Sequence, residues 1–414
     1  MLVCYACGRR HGSGQRCDCG EPLWFGTDPD GVEWPDRDGV WAFADLLPVD
    51  PPRGGLAAAA GATPLVRAPG LDVDDARVHV KLEGTNPTGS FKDRGSAVGV
   101  AGAVAGVPGD GDPDAVGTVS HGNMAASMAA HAAGHDLDCV VLVPADISDS
   151  RLDRIASYGP RIVRVDGDYG RLYHDALALG PEAGVEFVNS DSPLRVAGQK
   201  TTALEVLRAF AAGDAGGGDG GAGRATAAAG PDAPDAVVVP VSSGGHASAA
   251  WKAVREATAA GLVDDPPRLY LVQTAACAPV AGAFERGDDA VTRLDREAVG
   301  ETVAYSIANP DPPSGTRALA AARDTGGAAL AVDDDAIRAA RRRFARAGMR
   351  VEAASATTLA GLRRLRERGE VDAGEHVVLV ATGVGYGGGG DAGPTDAETV
   401  TRADLAAALG VDDG

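Results

Sequence analysis

Residues 84–96 read GTNPTGSFKDRGS, and the lysine inside them decides how the rest of the chain is read. Pro87, Thr88 and Gly89 end an extended segment, and Ser90 is placed to cap a helix opening near Phe91. Lys92 then falls in the first helical turn, where the positive end of the helix dipole disfavours an ammonium. Apolar surroundings would lower its pKa further and leave a neutral amine able to attack a carbonyl carbon. The plain alternative is a solvated helix lysine beside a capping serine. Lysine is scarce in this chain, which holds only Lys81, Lys92, Lys200 and Lys252.

From about residue 60 onward, short β-branched runs alternate with longer helical ones. AVGTVS (115–120), CVVLVPA (139–145), RIVRVD (161–166) and EFVNS (186–190) read as strands. So do AVVVPV (236–241), RLYLVQT (268–274), AALAV (328–332) and HVVLVAT (376–382). Between them AASMAAHAAG, RLDRIASYG and AIRAARRRFARAG read as helices. Near-continuous apolar strands separated by helices predict an α/β fold with parallel sheets covered on both faces. The Gly/Ala/Asp tract at 211–235 has no apolar periodicity and is expected to be a disordered surface insertion between a helix at 201–210 and a strand. The last dozen residues are expected to form a short helix.

Ligands in open α/β sheets sit at the carboxyl ends of strands. Here those ends carry Ser120-His121-Gly122-Asn123, Asn189-Ser190-Asp191-Ser192, Ser242-Ser243-Gly244-Gly245-His246, and Thr382-Gly383. The third is a candidate phosphate cradle: its glycines let backbone approach an anion, and the following helix offers amide donors and a favourable dipole. The same junction could serve chain reversal alone. TGVGYGGGG (382–390) superficially suggests a dinucleotide fingerprint, but no βαβ unit of adequate length follows it.

Six segments now stand in one order: GTNPTGSFKDRG, SHGNMAAS, NSDSPLRVAGQKT, VPVSSGGHASA, SIANP and VEAASATTLAGL. Together they resemble the threonine synthase family, within the fold-type-II pyridoxal-phosphate enzymes. The resemblance implies two three-layer α/β/α domains, tryptophan synthase beta-like, in a cytoplasmic homodimer. It implies a large domain begun by 46–110 and resumed by 201–410, with a smaller one at 111–200. Lys92 matches the lysine that carries pyridoxal 5′-phosphate as a Schiff base. Asn123 matches the residue bonded to the 3′-oxygen of the pyridine ring. Ser242, Ser243, Gly244, Gly245 and His246 match the phosphate loop, and Thr382 the hydroxyl facing the pyridine nitrogen. Ser90, Asn189, Ser190 and Arg195 match contacts to a phosphorylated amino acid, with Arg195 suited to bidentate, charge-assisted bonds. The implied reaction is γ-elimination of phosphate from O-phospho-L-homoserine and β-addition of water, giving threonine.

Some positions depart from the family pattern. The phosphate loop reads Ser-Ser-Gly-Gly-His where Gly-Asn-x-Gly-Asn is common. Met124 stands where a threonine is usual, and Ala197 where a glutamate is common. These changes bear on substrate more than on cofactor. A threonine or serine dehydratase, or a β-replacing synthase of the cysteine or cysteate type, stays open. His121 and Glu352 are read as neighbours of the site, Glu352 in a supporting role. Asp93 and Arg94 are expected to form a structural charge network.

Residues 1–45 have another texture, with Cys4-x2-Cys7 and Cys17-x-Cys19, each pair followed by a glycine. That layout predicts a small, closed, structural zinc ribbon, with His11 left in a loop. Free thiols or a disulfide are the other readings. Related synthases often carry such a ribbon. Cys139 and Cys277 are read as core residues.

A net charge of −20 argues against binding the nucleic-acid backbone. An Asp-rich, Lys-poor composition resembles that of halophile proteins, whose self-repulsion salt screens. No apolar run approaches a membrane span, and no secretory leader is evident at the start of this sequence, so a cytoplasmic protein without membrane or nucleic-acid partners is expected.

Overall fold

The apolar runs pair as strands, and they sort into three sheets. A computed structural model describes residues 1–108, 113–166, 169–215 and 232–385. The middle of the Gly/Ala/Asp insertion and the expected C-terminal helix lie outside these residues. The chain opens with β1 (Leu2–Cys4), β2 (Arg10–His11) and β3 (Leu23–Phe25). Next come α1 (Gly55–Ala58), β4 (Leu65–Arg67), β5 (Arg77–Leu82) and α2 (Lys92–Val104). A middle run follows: β6 (Ala115–Val119), α3 (Asn123–Ala133), β7 (Asp138–Pro144), α4 (Asp149–Ala156), β8 (Arg161–Val165), α5 (Tyr169–Leu179), β9 (Val185–Phe187) and α6 (Pro193–Gln199). The remainder begins with α7 (Thr201–Ala211), β10 (Ala236–Pro240), α8 (Gly245–Ala259), β11 (Arg268–Thr274) and α9 (Pro279–Arg286). It closes with α10 (Gly315–Asp324), β12 (Ala329–Val332), α11 (Asp334–Arg346), α12 (Ala353–Glu367) and β13 (His376–Ala381).

The small sheet has the order β8-β7-β6-β9 and is parallel throughout. The large sheet runs β12-β11-β10-β13-β5-β4. Within it, β10 turns Val237 and Val239 into one apolar cluster and Ala236 and Val238 into another, so both faces are buried. One edge departs from the all-parallel expectation: β4 pairs antiparallel with β5. The nine-residue link between them is too short for a crossover helix, so the chain can only fold back. A third sheet, β2-β1-β3, is antiparallel and packs Leu2, Leu23 and Phe25 inward. His11 lies on β2 rather than in a loop.

Helix α2 joins the sheets. Arg94 donates through Nε to Glu83 Oε2 at 2.7 Å and through Nη2 to Glu205 Oε2 at 2.7 Å, all fully buried. Lys81 adds a bond to Glu205 at 2.6 Å. This charged cluster pins α2 to β5 and α7. On its other side α2 meets α6 at very close range. A Cβ on Gly198 would sit 2.1 Å from the Arg94 carbonyl oxygen, and one on Gly95 2.4 Å from Arg195 Cγ.

Candidate active site

Three of the four lysines are ion-paired with carboxylates. Lys81 pairs with Glu205 at 2.6 Å, Lys200 with Glu256 at 2.6 Å and Lys252 with Glu256 at 2.5 Å. Among the described residues, Lys92 alone has no carboxylate within ion-pair distance; its Nζ lies 4.4 Å from the centroid of the Phe91 ring. Burial, then the nearby Arg195 cation, push its pKa down from 10.5 to about 7, against an opposing pull from Glu352. Lys200, lowered to about 8 by burial, remains tied to Glu256 and the Leu46 carbonyl.

Lys92 is the first residue of α2, and the helix start differs from expectation. Phe91 is the N-cap, without a side-chain cap bond. Ser90 forms an isolated bridge with Gly383, and its Oγ is buried without a partner. The bridge fixes Ser90 to the end of β13, with Phe91 N donating to Thr382 O at 2.9 Å. Asp93 orders the turn instead, accepting from Thr88 N and Thr88 Oγ1, both at 2.6 Å. With Arg94 bound as described, both residues after Lys92 are structural.

On one side of Lys92, Asn123 opens α3. Its Nδ2 donates to Glu352 Oε2 at 3.1 Å, and its Oδ1 accepts from Arg154 Nη1 at 3.3 Å. Thr382 Oγ1 donates to Glu352 Oε1 at 3.2 Å and lies 3.0 Å from Ser355 Oγ. One carboxyl thus spans Asn123 and Thr382, and burial raises its pKa above the ordinary value. Arg154 also donates to the Thr88 carbonyl, linking α4 to the lysine loop.

On the other side stands the turn Ser242–His246. Gly244 has φ 84°, and a Cβ there would also come within 2.4 Å of Ser314 O. Gly245 begins α8, and its Cβ would lie 2.1 Å from Ser190 O. The His246 ring stacks on Phe91 at 4.1 Å, and Nε2 lies 3.2 Å from Thr202 Oγ1. Burial, then Lys92, hold its pKa down at about 3, so it offers no positive charge to an anion.

Arg195 departs from the expected free fork. Nε donates to Val188 O at 3.2 Å, and Nη1 reaches Lys92 O and Ser96 Oγ, each at 3.3 Å. Only Nη2 lacks a partner, because close α2–α6 packing seats the guanidinium against α2. Asn189 is similarly divided: Oδ1 accepts from Val119 N at 2.9 Å, while Nδ2 is unpartnered.

The four N-terminal cysteines bring their sulfurs within 4.8 Å of one another. Cys4 and Cys19 are 3.6 Å apart, as are Cys7 and Cys17, and none is in a disulfide. Sulfurs bound tetrahedrally to zinc at ~2.3 Å would be separated by a similar distance. Gly8 (φ 72°) and Gly20 (φ 89°) make the knuckle turns, donating to Cys4 O and Cys17 O. The set fits a closed structural metal site.

Arg154 carried no signal in the sequence. Its helix looks like any amphipathic segment, and Asn123 and Thr88, which it binds, lie far off in the chain.

Comparison with known proteins agrees with this geometry. The family model described as pyridoxal-phosphate dependent enzyme matches residues 56–383. A threonine synthase from Methanocaldococcus jannaschii is 33% identical over 352 residues, covering 84% of this chain and 80% of its own. One from Mycobacterium leprae is 34% identical over 360 residues, covering 85% and 88%. Among solved structures, a fungal L-serine ammonia-lyase from Rhizomucor miehei superposes with a TM-score of 0.61 at 20% identity, covering 78% of this chain and 94% of its own. A threonine deaminase from Solanum lycopersicum gives 0.60 at 18% identity, covering 84% and 82%. With its free amine, glycine cradle and two α/β sheets, the chain belongs to the pyridoxal-phosphate dependent enzymes of fold type II.

Proposed function

We propose that this protein is a threonine synthase, converting O-phospho-L-homoserine and water to L-threonine and phosphate. The observation that carries the reading is the flanking of one amine without a carboxylate partner by two separate sets of anion donors. Gly244 and Gly245, at the start of α8, form one set. Arg195 and Asn189, each with an unpartnered nitrogen, form the other, and Gly245 packs directly on the Ser190 carbonyl between them. A reaction on an unphosphorylated amino acid needs only the first set, for the cofactor. Relatives bearing the name threonine synthase match most of the chain.

The residues present fit pyridoxal phosphate: an unpaired amine, a turn whose backbone packs too closely on Ser190 and Ser314 to admit a Cβ, and, on the opposite side, the buried Thr382 hydroxyl and half-buried Asn123 amide. When bound, that group supplies an aldehyde and an electron-withdrawing ring that stabilises negative charge beside the amino-acid α-carbon. Lys92 would hold it and carry protons at Nζ, a task suited to a pKa near neutrality. Asn123 and Thr382 would hold its ring, oriented by Glu352. The backbone of Ser242–His246 would hold its phosphate, using the dipole of α8. Ser90, Asn189, Ser190 and Arg195 would receive the substrate. Arg195 contributes through Nη2 and through its charge, which adds to burial in lowering the Lys92 pKa.

The reading also takes the protein as a cytoplasmic homodimer; among the described residues no helix is long and apolar enough to cross a membrane. A dehydratase or β-replacing synthase is the competing reading, favoured by Met124 beside Asn123 and by the committed Nε and Nη1 of Arg195. The test is a substrate panel in molar salt, assayed for phosphate, ammonia and threonine. Phosphate and threonine in equal amounts from O-phospho-L-homoserine are expected. Ammonia and 2-oxobutanoate from threonine, without phosphate release, would overturn the assignment in favour of a dehydratase.

A further inference from the structure

The N-terminal ribbon reaches both turns that face each other across the candidate anion sites, and it does so through one side chain. Arg16 immediately precedes Cys17, and its Nη1 donates to the knuckle carbonyl of Gly20 at 2.6 Å. The knuckle therefore aims the guanidinium. Nη2 reaches Asp191 Oδ2 at 3.0 Å and Pro313 O at 2.9 Å. Asp191 follows Ser190, whose carbonyl packs on Gly245. Pro313 precedes Ser314, whose N donates to Ser243 O at 2.9 Å and whose own carbonyl backs Gly244. One cation thus ties the proposed substrate turn to the proposed cofactor-phosphate turn.

Neighbouring contacts reinforce the same join. Gln15 Nε2 donates to Phe187 O at 2.8 Å, holding the ribbon to the strand that leads into Asn189. From the other direction, Arg317 Nη1 donates to Leu23 O at 3.2 Å and Nη2 to Ser314 Oγ at 2.9 Å. Asp191 is buried, and its second oxygen accepts from Tyr173. Removing Arg16 would leave that carboxylate without its ion-pair partner and release the turn it belongs to.

We propose that Arg16 is a positioning residue: it transmits the ordered state of the four-cysteine knuckle to the Asn189–Ser192 turn and so sets affinity for the phosphorylated substrate. The proposal rests on the threonine synthase reading for the substrate, but the mechanical link stands apart from it. The two can be separated by pairing kinetics with hydrogen exchange of the peptide covering 186–192, on the full chain loaded with cofactor and zinc.

Arg16→Met should retain zinc and the cofactor absorbance, speed exchange in that peptide at least tenfold, and raise the KM for O-phospho-L-homoserine about tenfold with kcat within threefold. Arg16→Lys, able to keep one bond to Asp191, should fall between. Asp191→Asn, which removes the charge pair from the other side, should repeat the Arg16→Met pattern, and it supplies the measurement should Arg16→Met fail to fold. Zinc stripped by a chelator should speed exchange in the same peptide. Unchanged exchange and unchanged KM in Arg16→Met would overturn the proposal, and so would loss of zinc from Arg16→Met, since the residue would then only assemble the ribbon. If the wild type releases no phosphate from O-phospho-L-homoserine, the substrate reading fails, while the exchange comparison still decides the role of Arg16.

Discussion

Asn123 and Glu352 are 229 residues apart in sequence, yet Asn123 Nδ2 donates to Glu352 Oε2 at 3.1 Å. The other carboxyl oxygen takes the Thr382 hydroxyl at 3.2 Å. A single acid therefore orients both side chains assigned to the cofactor ring, while its charge acts on Lys92.

That charge gives a pH prediction. Capture of an aldehyde requires the neutral amine, so the rate of cofactor capture should rise through pH about 7 and level off above it. Glu352 raises the Lys92 pKa, so Glu352→Gln should move this midpoint downward. Absorbance at the aldehyde–lysine band, followed against pH, reads it. A midpoint that stays fixed or moves up would remove Glu352 from this role. The lysine's depressed pKa also affects stability: between pH 7 and 10.5 the unfolded state holds the extra proton, so cofactor-free protein should gain stability as pH rises through that window.

Arg195→Met should shift the same midpoint upward, because, after burial, the Arg195 cation lowers the Lys92 pKa. If Arg195 binds the substrate phosphate as proposed, its loss should also raise KM by roughly tenfold to a hundredfold, with cofactor affinity much less affected. Kinetics on O-phospho-L-homoserine and a cofactor titration separate the two effects.

Gly198→Ala should be strongly destabilising. The added carbon would meet the Arg94 carbonyl at 2.1 Å, backbone that α2 cannot easily move. Overpacking of this kind costs about 1–3 kcal/mol or more. Denaturant unfolding at fixed salt measures it, and an unchanged midpoint would mean the α2–α6 contact is looser than described.

Metal analysis should find one zinc per chain, lost in Cys7→Ser. Cys7 is exposed while Cys4 and Cys17 are buried, so the substitution removes a ligand with little change to packing. Retention of one full equivalent of zinc by the variant would count against a four-thiolate site.

The eight strands read from apolar runs were legible because their β-branched and aliphatic residues run nearly unbroken, in β6, β10, β11 and β13 through burial on both sheet faces. Strand β5 was not, though it is paired on both sides, because RVHVKL carries charge. His79 and Lys81 are buried there through partners, Lys81 with Glu205. The ribbon strands are two or three residues long and too short to show a period. Lys92 stood out through its local turn and helix start, whereas Arg16 and Arg154 act on residues distant in the chain, which no spacing rule reaches. The Ser90 cap failed for a related reason: a bridge to Gly383, almost 300 positions away, had already fixed that residue.

Lys81, Lys200 and Lys252 are each at most 5% exposed and locked to acids. The folded surface is consequently almost blank to amine-directed chemistry. Sugars, acylating labels and stray aldehydes that decorate ordinary enzymes at random should here modify the chain terminus and one internal nitrogen. Selectivity for vitamin B6 would then owe as much to the silence of the other amines as to the reactivity of the one that remains.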